Sequence, residues 1–130
     1  MMSPEGIIIR SSPLNVKETV DRLVIFLQDH GVTLYARINQ QEELHRVGIV
    51  ITPLEFILFG NPRTGGKILS VNLVAALDLP LKIISWEDAD HRVWVAYNDA
   101  RYLGKRYSLA NKVVDSLNLD ILIEDALKPA

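Results

Sequence analysis

Apolar residues fall along this chain in two rhythms, one close to every second residue and one close to every 3.6, and the switches between them mark out the elements. Ile7, Ile8 and Ile9 form a short β-branched run between Gly6 and Arg10, closed by Ser11-Ser12-Pro13, which predicts a first strand. Asn15, followed three residues later by Glu18, is a capping-box-like start. From there Val16, Val20, Leu23, Val24 and Leu27 recur at helical spacing until Gly31. Val32 to Ile38 alternates, with Val32, Leu34, Ala36 and Ile38 on one face and Thr33, Tyr35 and Arg37 on the other, the pattern of a half-buried strand. Gln40 to Arg46 is polar and suits a short helix or a loop, and Val47 to Ile51 then runs into Thr52-Pro53.

Phe56 to Phe59 predicts a short apolar strand, broken by a turn over Gly60–Gly66. Beyond it Ile68, Val71, Leu73, Val74 and Leu77 fit a buried helix that gives way around Asp78 and Pro80. Leu81–Trp86 and Arg92–Tyr97 predict an antiparallel pair of strands, joined by the polar connector Glu87–His91. From about Ala100 the pattern is helical, with Val113, Val114, Leu117, Ile121 and Leu122 as an apolar stripe and Lys128-Pro129 at its end. The order is β-α-β-(short α)-β-α-β-β-α without internal repeats. It predicts an α+β fold, a largely antiparallel sheet with helices packed on one face, and leaves the strand order open.

Composition narrows the function classes. The 130 residues fit one domain spanning 1–130, and 48% apolar with 23% charged residues is a globular balance. Fourteen Lys and Arg against sixteen Asp and Glu leave a net charge of −2, which argues against nucleic acid as a partner. With no Cys, disulfides, thiolate catalysis and Cys-based metal sites are excluded. The start MMSPEGIIIR lacks the basic and long apolar regions of a signal peptide, and no run approaches the ~20 apolar residues that span a bilayer. The expectation is a cytoplasmic protein with no membrane partner.

The stretch FGNPRTGGK (59–67) invites comparison with a phosphate-binding loop. Counted back from Lys67, Gly66 fits, but the first glycine of the motif falls on Asn61 and the hydroxyl position on Ile68, so two of the four specified positions fail. What remains is a glycine-rich turn at a helix start with Arg63 and Lys67 nearby. It is either a generic anion site or simply a strand-to-helix turn.

The order VGIVITPLEFILFGNP, LDLPLKIISWED, VWVAYNDARYLGKRY resembles the domain-of-unknown-function 302 family over roughly Gly6 to Leu109. That resemblance implies a small α+β domain of the TATA-binding-protein-like class and, commonly, a homodimer; it implies no established reaction. It also marks departures. The family's Asp-His after the second strand, its Thr-Pro beside the glycine turn and its late His correspond here to Asn39-Gln40, Gly66-Lys67 and Tyr107. Both family histidines are therefore absent, which removes the basis for a metal or acid–base role carried over from them.

No other catalytic pattern stands out. His30, His45 and His91 have no metal-ligand spacing, and no nucleophile elbow occurs. His30 is placed to cap the first helix, and the acidic pairs lie in polar segments. Tyr97 to Tyr107 interleaves three cations with three tyrosines, suited to an anionic ring-bearing ligand or to a solvated surface. Trp86 and Trp94, on adjacent strands, are expected as a cross-strand pair in the core or at a dimer interface. The leading expectation is a non-enzymatic homodimeric domain that binds a small anionic ligand, or an interaction module, with no cofactor and no metal. Its ligand residues are Gly60, Asn61, Arg63, Gly65, Gly66, Lys67, Tyr97, Asp99, Arg101 and Tyr102. The alternatives are an enzyme with a polar cleft near Asn61 and Asp99, and a purely structural dimerisation module.

Overall fold

The computed structural model describes residues 3–129. Five strands, β1 (Ile7–Ser12), β2 (Thr33–Asn39), β3 (Leu54–Gly60), β4 (Leu81–Glu87) and β5 (Val93–Asn98), form one sheet in the order β1-β5-β4-β3-β2. Every neighbouring pair is antiparallel. β4 and β5 are a hairpin at the centre, and β1 and β2 occupy opposite edges, so α1 (Val16–Asp29), which joins them, must cross the sheet. The remaining helices are α2 (Gln40–His45), α3 (Pro62–Leu69), α4 (Ala100–Arg106), α5 (Asn111–Leu117) and α6 (Asp120–Leu127), with a 3-10 turn at Leu73–Leu77.

The α1 helix forms as its caps and periodicity dictate. Asn15 Oδ1 accepts the Glu18 N–H at 2.8 Å, and Asn15 Nδ2 donates to Glu18 Oε1 at 3.1 Å. At the other end Gly31 adopts φ +77°, and the Val32 N–H closes onto the Leu27 carbonyl at 2.9 Å. The stripe so aligned buries Val20, Leu23 and Leu27 against Ile57 and Phe59 of β3, Ile83 of β4 and Val95 of β5, together with Ile123, Ala126 and Leu127 of α6, and Val16 is buried at the start of the helix. Both α1 and α6 therefore cover the same face.

A second cluster, Ile68, Ala75, Ala100, Leu103, Tyr107 and Leu117, knits α3, α4, α5 and the 3-10 turn into a lobe at the sheet end where β3 and β5 finish. Gly6, at φ +76°, lies directly under the Tyr102 ring of α4, which leaves no room for a Cβ there.

The other sheet face is different. Period-two alternation and strand register place Phe56 and Leu58 of β3, Ile84 and Trp86 of β4, and Trp94 and Ala96 of β5 together on it, with Ile9 and Ile38 on the edge strands. None of these side chains joins either cluster. The helices that bury side chains leave this face open, and α2, which buries none of its residues, adjoins β3.

Four sequence expectations change in the structure. Helix α3 begins at Pro62, so Thr64, Gly65 and Gly66 lie inside it rather than in a turn before it. Beyond Leu69 the chain tightens into the 3-10 turn, where Ala75 is buried but Val71, Leu73, Val74 and Leu77 are exposed, the reverse of a buried helix. In β2 the pairing slips between Leu34 and Ala36. This bulge sends Leu34 to the helix-covered face while Ala36 and Ile38 stay on the open one, so the four alternating residues do not share a side. The C-terminal stripe also resolves into three short helices, with Leu117 and Ile123 buried and Ile121 exposed.

Candidate functional site

Gly60 ends β3, and Asn61 caps α3 by accepting the Arg63 N–H at 2.9 Å on its side-chain oxygen. Pro62 takes the first helical position, where a missing N–H costs nothing and a fixed φ suits the helix. The helix so launched forms one wall of a pocket of about 370 Å³. Gly60, Asn61, Pro62, Thr64, Gly65, Gly66 and Leu69 line that wall; Leu79, Pro80 and Leu81 lead into β4 on the second side. Ser116, Leu117 and Leu119 close the third, with His30, Val32 and Tyr35 at the end of α1 and the start of β2.

The β2 bulge matters here, because its extra residue is Tyr35. Bulges re-aim side chains, and this one brings the Tyr35 ring over Gly60, where a Cβ would stand 3.7 Å from Cε2. Gly65 and Gly66 do the opposite: a Cβ at either would meet no heavy atom within 4 Å, so the absence of side chains leaves the wall open. His30 donates from Nδ1 to the Phe26 carbonyl at 2.8 Å, which turns its Nε2 away from the helix end. No Asp, Glu, Lys or Arg contributes to the lining. Its polarity comes from hydroxyls, the Asn61 amide, His30 and the first turn of α3.

The family model for the Domain of unknown function DUF302 matches residues 8–123. The chain belongs to the DUF302 family. A crystal structure of an uncharacterized conserved DUF302 protein from Bacillus stearothermophilus shares the fold, with a TM-score of 0.77 at 17% identity over 95% of this chain and 97% of that one. Among curated proteins, the chain is 31% identical over 104 residues to the fluoride-specific ion channel FluC 1 of Brucella suis biovar 1 (strain 1330), a match covering 80% of this chain and 41% of that protein. The fluoride-specific ion channel FluC 2 of Brucella melitensis biotype 1 matches at the same identity over 80% of this chain and 38% of its own length. The DUF302 chain thus spans about two fifths of the curated relatives it matches.

Of the ten ligand residues expected from the sequence, the DUF302 fold gathers Gly60, Asn61, Gly65 and Gly66 around the pocket. Arg63 and Lys67, four residues apart, share a neighbouring solvent-exposed face of α3 and do not line it. Asp99 caps α4 by accepting the Arg101 N–H at 2.9 Å and pairs with the Arg101 guanidinium at 3.1 Å, a contact that, despite slight burial, holds the Asp99 carboxyl below its usual range. Tyr102 packs on Gly6. The segment Tyr97–Tyr107 therefore shares a lobe with the glycine helix through Ile68, Leu103 and Tyr107, but its named polar groups open elsewhere.

Tyr97 points inward instead. Arg10 of β1 donates from Nε to its hydroxyl at 2.9 Å and from a terminal nitrogen to Asp120 of α6 at 2.6 Å, while the Tyr97 hydroxyl itself donates to Asp120. Burial, reinforced by Asp120, pushes the Tyr97 phenol well above its ordinary value. At Asp120 burial works upward but is outweighed by the hydrogen bonds from Arg10 and Tyr97, which hold the carboxyl below the usual range. The triad pins the start of α6 to the sheet. A similar pin, Asp78 accepting from Tyr107 and from Arg106 at 3.1 Å, ties α4 to the segment that enters β4.

Sequence reasoning missed His30, Tyr35, Leu79, Leu117 and Leu119 as neighbours of the glycine wall. The only available signal was the LDLP motif, which ends at Pro80 on the second side of the pocket. Among the described residues no cluster of three His, Asp or Glu is arranged to hold a metal ion, and no helix is long and apolar enough to cross a membrane.

Proposed function

We propose that this DUF302 domain is a non-enzymatic, homodimeric module that takes a small ligand into the pocket beside α3. The ligand's apolar body lies against Leu69, Leu79 and Leu117, and an anionic end meets the first turn of α3 and His30. The observation that carries this reading is the open 370 Å³ pocket at the glycine wall, a volume within the range of small-molecule sites. Pro62 has no N–H and the Arg63 N–H is taken by Asn61, which leaves the Thr64 N–H and the helix dipole to favour negative charge there. The titratable side chains of the lining are His30 and Tyr35, with no carboxylate beside them to complete an acid–base couple, which supports binding.

The Brucella relatives named as fluoride-specific ion channels are more than twice as long as the matched stretch. This supports a module that serves a larger protein and gives a reason to test fluoride beside organic anions. The experiment is a thermal-shift titration with fluoride, phosphate, small carboxylates and mononucleotides at fixed ionic strength. A ligand at about 100 times its Kd adds roughly 2.7 kcal/mol to the folded state. The expected result is a shift with one anion class that Gly66→Leu abolishes and Gly66→Ala retains, because the longer side chain fills the pocket. A flat response across the panel overturns the reading. An Arg63→Ala/Lys67→Ala variant reports whether the two rim cations contribute.

A further inference from the structure

We infer that the 3-10 turn Leu73–Leu77, with Val71 just before it, rests on the surface of an anionic lipid membrane. Positions three apart stack in a 3-10 helix, so the turn divides into rows. The row that faces the protein carries the polar groups: Ala75 is buried, Asn72 donates from Nδ2 to the Tyr107 carbonyl at 3.4 Å, and Asp78 accepts from the Tyr107 hydroxyl and from Arg106. The rows that face water are apolar. Val71, Leu73, Val74 and Leu77 are between 64% and 83% exposed, so the turn is inside out, and hydrogen bonds at both of its ends fix it that way. Contiguous exposed aliphatic side chains of this kind mark an interaction site.

Charge selects the occupant. Residues 61–80 and 99–119, which build this lobe, carry six Lys and Arg against three Asp, a net of +3 in a chain of −2. Arg63 and Lys67 lead along α3 to Val71 at intervals of four, and Lys105 and Arg106 end α4 beside Tyr107, which anchors the turn. The one carboxylate between positions 61 and 80 is Asp78, and it is turned inward and paired. A second copy seated two-fold on this patch would bring like charges together. Protein interfaces centre on aromatic residues and arginine, whereas the outward rows here hold only Val, Leu and Ala. Aliphatic side chains flanked by cations match a negatively charged bilayer surface, into which they sink while the cations stay at the headgroups. Such a contact needs no spanning helix, and it stands independently of the ligand pocket.

The test is flotation of the wild-type chain with vesicles of phosphatidylcholine alone or mixed with phosphatidylglycerol. The expected result is binding to the mixed vesicles that weakens with added salt, falls about fivefold for each of Lys67→Ala and Lys105→Ala, and is lost in Leu73→Ser/Leu77→Ser. Val50→Ser, equally exposed in the loop before β3, should bind as wild type does. Absence of binding to either vesicle overturns the inference, as does binding that survives Leu73→Ser/Leu77→Ser or is lost in Val50→Ser. A wild-type dimer that ignores vesicles and becomes a monomer in Leu73→Ser/Leu77→Ser assigns the turn to a second copy instead, and equally overturns it. Should the double variant not fold, Val74→Cys decides, because the chain has no other cysteine to label. An environment-sensitive fluorophore there should shift to the blue on the mixed vesicles, and emission that stays that of water on vesicle-bound protein overturns the contact.

Discussion

Asp120 illustrates how far one side chain can reach in a fold of this size. Its carboxylate accepts from Arg10 and Tyr97, residues 110 and 23 positions away. Asp120→Asn leaves a half-buried guanidinium with a weaker partner; because Arg10 and Asp120 remain about a third exposed, the loss is about 1–2 kcal/mol. Chemical denaturation at pH 7 measures it. The pH dependence has a definite sign. A carboxyl whose folded pKa is depressed contributes stability above the ordinary carboxylate value, and that contribution fades as pH falls through the folded pKa. The gap between wild type and Asp120→Asn should therefore be full at pH 6 to 7 and close as the pH drops below about 4. A gap that persists unchanged in acid sinks the assignment. None of this triad was legible in the sequence: Tyr97 reads there as part of a basic, aromatic run, and only the register of β1 against β5 turns it toward Arg10.

At the level of elements, legibility tracked the strength of local signals. Helix α1 could be read because its cap, its 3.6-residue stripe and its terminal glycine all agree. The stretch from Ile68 to Leu77 could not, because apolar spacing does not distinguish a buried stripe from residues on an exposed 3-10 turn. The contact between α4 and α5 carries its own test. Gly104 is buried, and a Cβ there would collide with the Val114 side chain. Alanine ordinarily favours a helix interior over glycine, yet Gly104→Ala should cost roughly 1–3 kcal/mol through overpacking. Adding Val114→Ala should recover part of that loss. The double-mutant cycle, measured by denaturant unfolding, should show coupling on the order of 1 kcal/mol between the two sites; strict additivity would mean that the helices do not meet there.

For the molecule as a whole, the contrast between the two faces of the sheet gives the sharpest prediction. Ile83 and Ile84 are adjacent in sequence and opposite in fate, the first buried beneath α1 and α6 and the second on the open face. Ile83→Lys places a charge in the core and should abolish cooperative thermal unfolding. Ile84→Lys should leave the monomer fold intact, with a change within about 1 kcal/mol at protein concentrations where no dimer forms. Equal damage from both would show that the second face is covered after all. The α+β class and antiparallel sheet were legible from the order of elements. The strand order was not, because it depends on where α1 carries the chain after β1, and no local pattern encodes that.

The glycine wall has one more consequence. Two consecutive glycines inside an eight-residue helix each cost about 1 kcal/mol of helix propensity relative to alanine, so α3 is held chiefly by its cap and by Ile68. Its backbone should open locally well before the domain unfolds, and the N–H of Ser70, bonded to the Gly66 carbonyl, should exchange with deuterium far faster than the amides of α1. A molecule seated against this wall would slow that exchange. Protection confined to α3 could then reveal occupancy even where the melting temperature barely moves.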